Sequence, residues 1–557
     1  MSCRGRWGTG DLEGTVSSLF LVVAIASLGL LAFAGGAAAV SDLSGTDTVD
    51  GPVGVDEANG HPTDEVPIDE RAADPLANET GTTEVVVRLT PIGEPDSEDD
   101  GVVAELRDHA ADERAAFEAF AEERDGVTVE REFWLANALL VSVDADETAA
   151  ADLLSVANVT GVHDNVVVAT HDDLSAGETH EQVDAEPSGS YTAGLNLIDV
   201  PTAWDRFDTR GSGATVAVID TGVDPTHQDI DLAAWADFDE NGTLVSDDVA
   251  DARDPDGHGT HVAGTVAGGD ASGTHIGVAP DATIHGSNAF GEDGTATFAG
   301  VLAAMEHATA DEKVDILQMS LGATGTFRGF IAPVRNARAS GAIVVAAAGN
   351  EGENTSSSPA NVHDALAVGA VRADENRTVA EFSSGEPINA TAAFGTFPDD
   401  WPEQYVVPDV TAPGVGVISA ESGTTDGYVR QQGTSMAAPH VSGLAALAVA
   451  ATDGRIEPEA LQASLVDTAV HPSGPNAAPD HRHGHGVVDA PAAVGAALDA
   501  APPPDSEPSE NGSNEGDDSP DIDDDTPGFG LVPATVALTA VLAALSSVGR
   551  ARAGRVE

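Results

Sequence analysis

Three separated segments of this chain hold, in order, an aspartate, a histidine and a serine whose settings suit nucleophilic chemistry with a proton relay. Asp220 ends the apolar run Val216-Ala217-Val218-Ile219 and is followed by Thr221-Gly222. It therefore falls where a strand gives way to a turn, the edge at which open α/β sheets build their sites. His258 lies between Gly257 and Gly259, in a stretch of small residues from Asp256 to Thr265 that lets a helix pack closely on a sheet. Ser435 stands in Gly433-Thr434-Ser435-Met436-Ala437-Ala438-Pro439-His440, ahead of an apolar helix through Leu444, Leu447 and Val449. Pro439 falls within the first turn or so, where a missing amide does least harm. A helix start also offers unpaired N–H groups and a positive dipole end to developing negative charge. A serine hydroxyl becomes a nucleophile when an imidazole takes its proton and a carboxylate steadies the imidazole. Each segment alone has a plainer reading. A strand-end aspartate is usually structural, and a serine at a helix start usually caps it. His258 and His261 could pair on a metal, but the spacing and glutamate of a zincin are absent.

The order Asp, His, Ser in these three settings resembles the subtilisin-like serine protease family, the subtilases, over residues 195–500. The resemblance implies that Ser435 is the nucleophile, His258 the general base and Asp220 the residue that orients the imidazole. Asn350, in Ala346-Ala347-Ala348-Gly349-Asn350-Glu351-Gly352, matches the family's oxyanion donor, acting with the Ser435 backbone N–H. Ser320-Leu321-Gly322 resembles the strand that pairs with an extended peptide substrate, and with Ala347 it would line the primary specificity pocket. Asp229 matches an aspartate that helps bind calcium in many relatives, although the loop Gly269–Thr274 departs from their asparagine-rich pattern. Calcium is thus an expected structural ion, and the chemistry itself needs no cofactor.

These residues need a frame. From Leu195 to Leu498 short apolar runs alternate with helical stretches, among them Thr215–Ile219, Ile343–Ala347 and Ala365–Val368. Continuous runs of that kind fit parallel strands covered on both faces. The expected fold is α/β and subtilisin-like, with a mostly parallel central sheet flanked by helices. Upstream, residues 84–170 suggest a small α+β module in ferredoxin-like β-α-β-β-α-β order. Its expected strands are Glu84–Leu89, Trp134–Val143 and Val166–Val168, with helices at Val102–Arg124 and Leu153-Leu154. The module resembles the propeptide that chaperones and inhibits subtilisin-like proteases. Residues 171–194 read as a linker where autocleavage would release it. In His481-Arg482-His483-Gly484-His485 the histidines could hold a metal, but the segment reads as a solvated loop.

The chain has 23 Lys plus Arg against 94 Asp plus Glu, a formal net charge of −71. Self-repulsion of that size is screened within about 10 Å at 0.1 M salt and about 3 Å at 1 M, so the composition suits high salt. It also excludes a nucleic-acid partner bound through a basic face. The one cysteine, Cys3, excludes an intrachain disulfide. Residues 1–40 combine Arg4 and Arg6, an uncharged apolar run and Ala37-Ala38-Ala39, the pattern of a signal peptide cut by signal peptidase. A polar lead-in spans 41–83, and 501–526 is an acidic spacer. Residues 527–557 join Pro527-Gly528-Phe529, an uncharged membrane-length stretch and three arginines. This tail resembles the sorting signals of haloarchaeal surface proteins, and with the peptidase region it is similar to halolysins. It implies processing by an archaeosortase-like enzyme and attachment at the cell surface, by the helix or by lipid. The expected substrates are proteins or peptides. The alternative is a silent adhesion or surface-layer protein that keeps the fold, which the presence of all four catalytic residues disfavours.

Overall fold

A computed structural model describes residues 74–93, 95, 101–170, 181–183 (backbone), 190–291, 294–310 and 314–503. The expected signal peptide, the lead-in up to residue 73, the spacer beyond residue 503 and the sorting segment lie outside the described residues.

The upstream module is an antiparallel sheet of β1 (Thr82–Leu89), β2 (Val127–Phe133), β3 (Ala138–Asp144) and β4 (Val159–Asp164), in the order β2-β3-β1-β4. Helix α1 (Val102–Glu122) follows β1, and α2 (Ala150–Leu154) follows β3. The strand expected from Trp134 begins only at Ala138. Residues 134–137 form a turn, with Asn137 at φ 47°, a left-handed conformation that asparagine tolerates. The alternating segment Val127-Thr128-Val129-Glu130 supplies β2, which the sequence reading passed over. Residues Val166–Val168 do not close this sheet. β4 does, and β5 (Val167–Thr170) leaves the module to pair elsewhere.

The run Val85-Val86-Val87 is apolar throughout because both faces of the small sheet are covered. Val85, Val87, Leu139, Val141 and Val143 pack with Phe117 and Leu153 from the module's own helices. Val86, Phe133, Leu135 and Leu140 instead join a cluster that includes Phe298, Leu302 and Val334 of the peptidase region. Burying each such side chain contributes about 1.5–3 kcal/mol.

The peptidase region is built on an eight-stranded sheet. Its strands are β7 (Thr215–Asp220), β8 (Leu232–Phe238), β9 (Leu244–Ser246), β10 (Thr283–Asn288), β12 (Ile316–Met319), β14 (Ile343–Ala347), β16 (Leu366–Arg372) and β19 (Val410–Val415), in the order β19-β16-β14-β12-β7-β10-β8-β9. All neighbours are parallel except the edge pair β8–β9. Alternate residues face opposite layers, as strand geometry requires. Val216 and Val218 face α4 (Val200–Phe207), α5 (His258–Ala267) and α9 (Thr434–Ala451). Ala217 and Ile219 face α6 (Phe298–Thr309) and α7 (Ile331–Ala339). The fold is therefore α/β, with a mostly parallel central sheet flanked by helices and preceded by an antiparallel α+β region.

Smaller sheets and the short helices α3 (Ala193–Leu197) and α8 (Ala390–Phe394) surround this frame. β11 (Thr295–Thr297), β13 (Leu321–Thr324) and β15 (Ser357–Ser358) form a sheet with β5, in the order β11-β5-β13-β15. β17 (Glu386–Asn389) pairs with β18 (Gln404–Val407). β20 (Val417–Ala420) and β21 (Tyr428–Gln431) form a hairpin, and β6 (Glu181–Val183) adds to the β21 edge.

Candidate active site

Asp220 is the last residue of β7, and His258 opens α5 across a tight turn. His258 Nδ1 lies 2.6 Å from Asp220 Oδ1, with Asp220 fully buried and His258 at 2% exposure. Asp220 Oδ1 also accepts the Thr221 N–H at 2.8 Å. Close approach explains the glycines here. A Cβ on Gly259 would fall 2.0 Å from the Gly222 carbonyl oxygen, and Gly257 sits at φ 98°. His261 Nε2 lies 3.1 Å from the Val417 carbonyl, apart from the Asp220–His258 contact.

A buried carboxylate that the sequence did not single out organises this turn. Asp254 Oδ1 accepts from Thr221 Oγ1 and Gly257 N, both at 2.9 Å, and its Oδ2 accepts from Thr260 N and Oγ1 at 2.8 and 2.6 Å. Burial pushes the Asp254 carboxyl above its ordinary value, and these donors oppose that shift. Its signal was Asp254 four residues ahead of His258, in Asp254-Pro255-Asp256-Gly257.

Ser435 is the second residue of α9, which packs against α5 and the sheet. Its Oγ donates to the Ser320 carbonyl at 3.2 Å. Pro439 is not in the first turn as expected but inside the helix. Asn350, just beyond β14, accepts through Oδ1 from Thr434 N and Oγ1 at 2.9 and 3.0 Å. With its oxygen committed to Thr434, the end of the amide left to serve as a donor is Nδ2. Ala347 is fully buried in the core on the α9 side.

Ser320 joins β12 to β13, and Leu321 and Gly322 pair antiparallel with Thr170 and Ala169. On the other side Thr295, Ala296 and Thr297 pair with Ala169, Val168 and Val167. The groove between β11 and β13 is thus filled by the chain's own β5. Three further contacts hold the module beside it. Leu135 N donates to Glu306 Oε1 at 2.9 Å, Asn336 Nδ2 donates to the Leu135 carbonyl at 2.7 Å, and Asn165 Oδ1 accepts from Ala299 N at the start of α6. Burial raises the Glu306 carboxyl to about 7, against the Leu135 N–H bond and the nearby charge of Arg131.

Asp229 does not fit a calcium site. Its Oδ1 accepts the Ala271 N–H at 2.8 Å and its Oδ2 accepts the Tyr428 hydroxyl. Burial and Asp229 itself hold that phenol above its ordinary value, which keeps it a donor. The loop carbonyls of Gly268, Gly269 and Asp270 accept from Gly277, Ile276 and Gly273. A calcium ion takes six to eight oxygen ligands, whereas here donors occupy both carboxylate oxygens and the loop closes on itself. Asp229→Ala is expected to cost about 1–3 kcal/mol, from the donors left unpaired. The fall in Tm should be the same in excess calcium and in excess chelator; a fall confined to calcium-containing buffer would restore the ion.

Among the described residues one other cluster has ligand atoms close enough to share an ion: His471, Asp480 and His483. His471 Nδ1 accepts from Ser473 N at 3.1 Å, so its Nε2 carries the proton and donates to Asp480 Oδ2 at 3.1 Å. That tautomer leaves His471 no lone pair for a metal. His481, from the same stretch, contacts Glu353 at 2.9 Å.

The sequence that carries this Asp220–His258 pair, and Ser435 at the start of α9, is matched by known proteins. The sequence model of the subtilase family, Peptidase S8, matches residues 211–486. Subtilisin DY of Bacillus licheniformis is 34% identical over 289 residues, 51% of this chain and 92% of that protein. The chain belongs to the subtilase family. Subtilisin BL of Lederbergia lenta is 36% identical over 255 residues, 46% of this chain and 82% of the relative. Alkaline elastase YaB of Bacillus sp. (strain YaB) is 34% identical over 278 residues, and the match spans 65% of that protein and 49% of this one. As a subtilase, the chain falls in the class of serine-type endopeptidases.

Proposed function

We infer that this subtilase is made as a zymogen that cuts itself between the module and the peptidase region, then hydrolyses peptide bonds in other proteins. In this reading Ser435 attacks the acyl carbon while His258 takes its proton and passes it to the leaving amine. Asp220 keeps the imidazole N–H on Nδ1 and stabilises the imidazolium. Asn350 and the Ser435 backbone N–H receive the oxyanion. Water then hydrolyses the acyl-enzyme by the reverse proton transfers.

The observation that carries the reading is β5, lying antiparallel between β11 and β13 as a peptide substrate would. Its side chains alternate accordingly: Val168 is buried beside Ala296 and Phe298, while Val167 is 60% exposed. Leu321 pairs with Thr170, and the carbonyl of the adjacent Ser320 lies 3.2 Å from Ser435 Oγ, so β5 ends next to the nucleophile's partner. His171 lies outside the described residues, so the register of Ala169 and Thr170 is what supports a cut between His171 and Asp172.

N-terminal sequencing and intact mass of the purified product test this. A mature chain starting at Asp172, with a fluorophosphonate attached to Ser435, is the expected result. A first residue beyond Glu181 would overturn the register, and an unlabelled Ser435 would return the chain to the silent adhesion reading. The setting we propose rests on sequence: export by residues 1–40, salt adaptation from the net charge of −71, and retention at the cell surface by residues 527–557.

A further inference from the structure

The helix that presents Ser435 has a defect built into it. Proline has no N–H, so a proline inside a helix strips the carbonyl four residues earlier of its partner. Pro439 lies inside α9, and four residues before it is Ser435. An unpaired carbonyl at that depth would be costly. It is not unpaired. Ser320 Oγ donates to the Ser435 carbonyl at 2.7 Å. Ser320 Oγ accepts in turn from Gln318 Nε2 at 2.7 Å, and Gln318 Oε1 accepts from Ser442 Oγ at 2.5 Å. Ser442 is on α9 itself, seven residues past Ser435, so the relay leaves the helix through the end of β12 and returns to it. Gln318, Ser320, Ser435 and Ser442 are all at 0% exposure, which leaves no water to take over for a deleted partner.

The geometry points to Gln318 and Ser442 as positioning residues for the nucleophile. Neither reaches the reacting atoms. Together they hold the Ser320 hydroxyl in the rotamer that serves the Ser435 carbonyl, and Ser435 Oγ answers by donating to the Ser320 carbonyl. The peptide at the head of α9 is thereby fixed in height and rotation, and with it the direction of Ser435 Oγ and of the backbone N–H used for the oxyanion. Misplacement of a reacting group by about 1 Å costs on the order of 10² in rate, so a loosened relay should register in acylation before it registers in binding. This inference rests on the reading of Ser435 as nucleophile.

Four variants test it: Ser442→Ala, Gln318→Met, their combination, and Ser442→Thr. The rate of precursor conversion, the second-order rate of fluorophosphonate labelling, kcat, KM and Tm are measured per folded molecule, with the folded fraction taken from circular dichroism. Ser442→Ala and Gln318→Met should each slow conversion, labelling and turnover by about tenfold, with KM within about twofold of wild type. The double variant should be no slower than the worse single, because both break one relay. Ser442→Thr, which keeps the hydroxyl, should recover most of the rate. A lowered Tm with wild-type labelling and kcat would reduce the relay to a structural role, and losses that multiply in the double variant would show that no relay exists. If the wild-type chain itself does not label, the nucleophile reading falls first, and this one with it.

Discussion

Ser435→Ala is expected to lower kcat by about 10⁶, the scale on which a subtilisin loses turnover without its serine. It should also leave a folded precursor that keeps residues 84–170. The hydroxyl donates one hydrogen bond, to the Ser320 carbonyl, and the alanine methyl occupies the space of the Cβ already there. The relay onto the Ser435 carbonyl uses backbone and survives the change. Stability should therefore move little, and an activity loss cannot be put down to unfolding. Intact mass separates the outcomes: an uncut chain supports self-processing, and normal maturation of the alanine variant would assign the cut to another protease.

Asp220→Asn is the second large effect, a loss of about 10⁴ in kcat with KM little changed. Asp220 Oδ1 accepts both the Thr221 N–H and the imidazole, and both side chains are buried. An amide at this position offers one oxygen and one NH2. If the NH2 takes the place of Oδ1, it gives up the Thr221 N–H and, facing His258 Nδ1, favours the tautomer with its proton on Nε2. That nitrogen then cannot take the serine proton. Steady-state kinetics at fixed ionic strength measures the loss, and a fall of less than tenfold would remove Asp220 from the relay.

Much of this was legible in the sequence, for a physical reason. A buried parallel strand needs an unbroken apolar run, so Thr215–Ile219 and Ile343–Ala347 announced themselves, and the polar residue ending each run was already a candidate site. The glycines around His258 were readable for the same reason: close backbone approach excludes any side chain. What stayed hidden were facts of pairing. Val166–Val168 reads as a strand, but the sequence cannot say which sheet it joins, and it joins the groove instead of its own module. Gln318 sits in an apolar strand where a lone amide looks like an accident until Ser442 and Ser320 are seen on either side. Asp229 misled in the other direction. Its position matched a metal ligand, but its partners are a backbone N–H and a phenol, and donors cannot be read from an aspartate's own neighbourhood.

The occupant of the groove and the protease that holds it are one covalent chain, with Thr170 in the cleft and Glu181 already paired on the β21 edge. In the zymogen proposed above, the module acting as inhibitor would therefore be present before cleavage at a fixed effective concentration, on the order of millimolar for a short tether, however dilute the protein. One cut between the two converts that into an ordinary bimolecular equilibrium. From then on dilution alone drives the module off: a molecule released into a large volume frees its groove, and one crowded among its own cleaved modules stays closed.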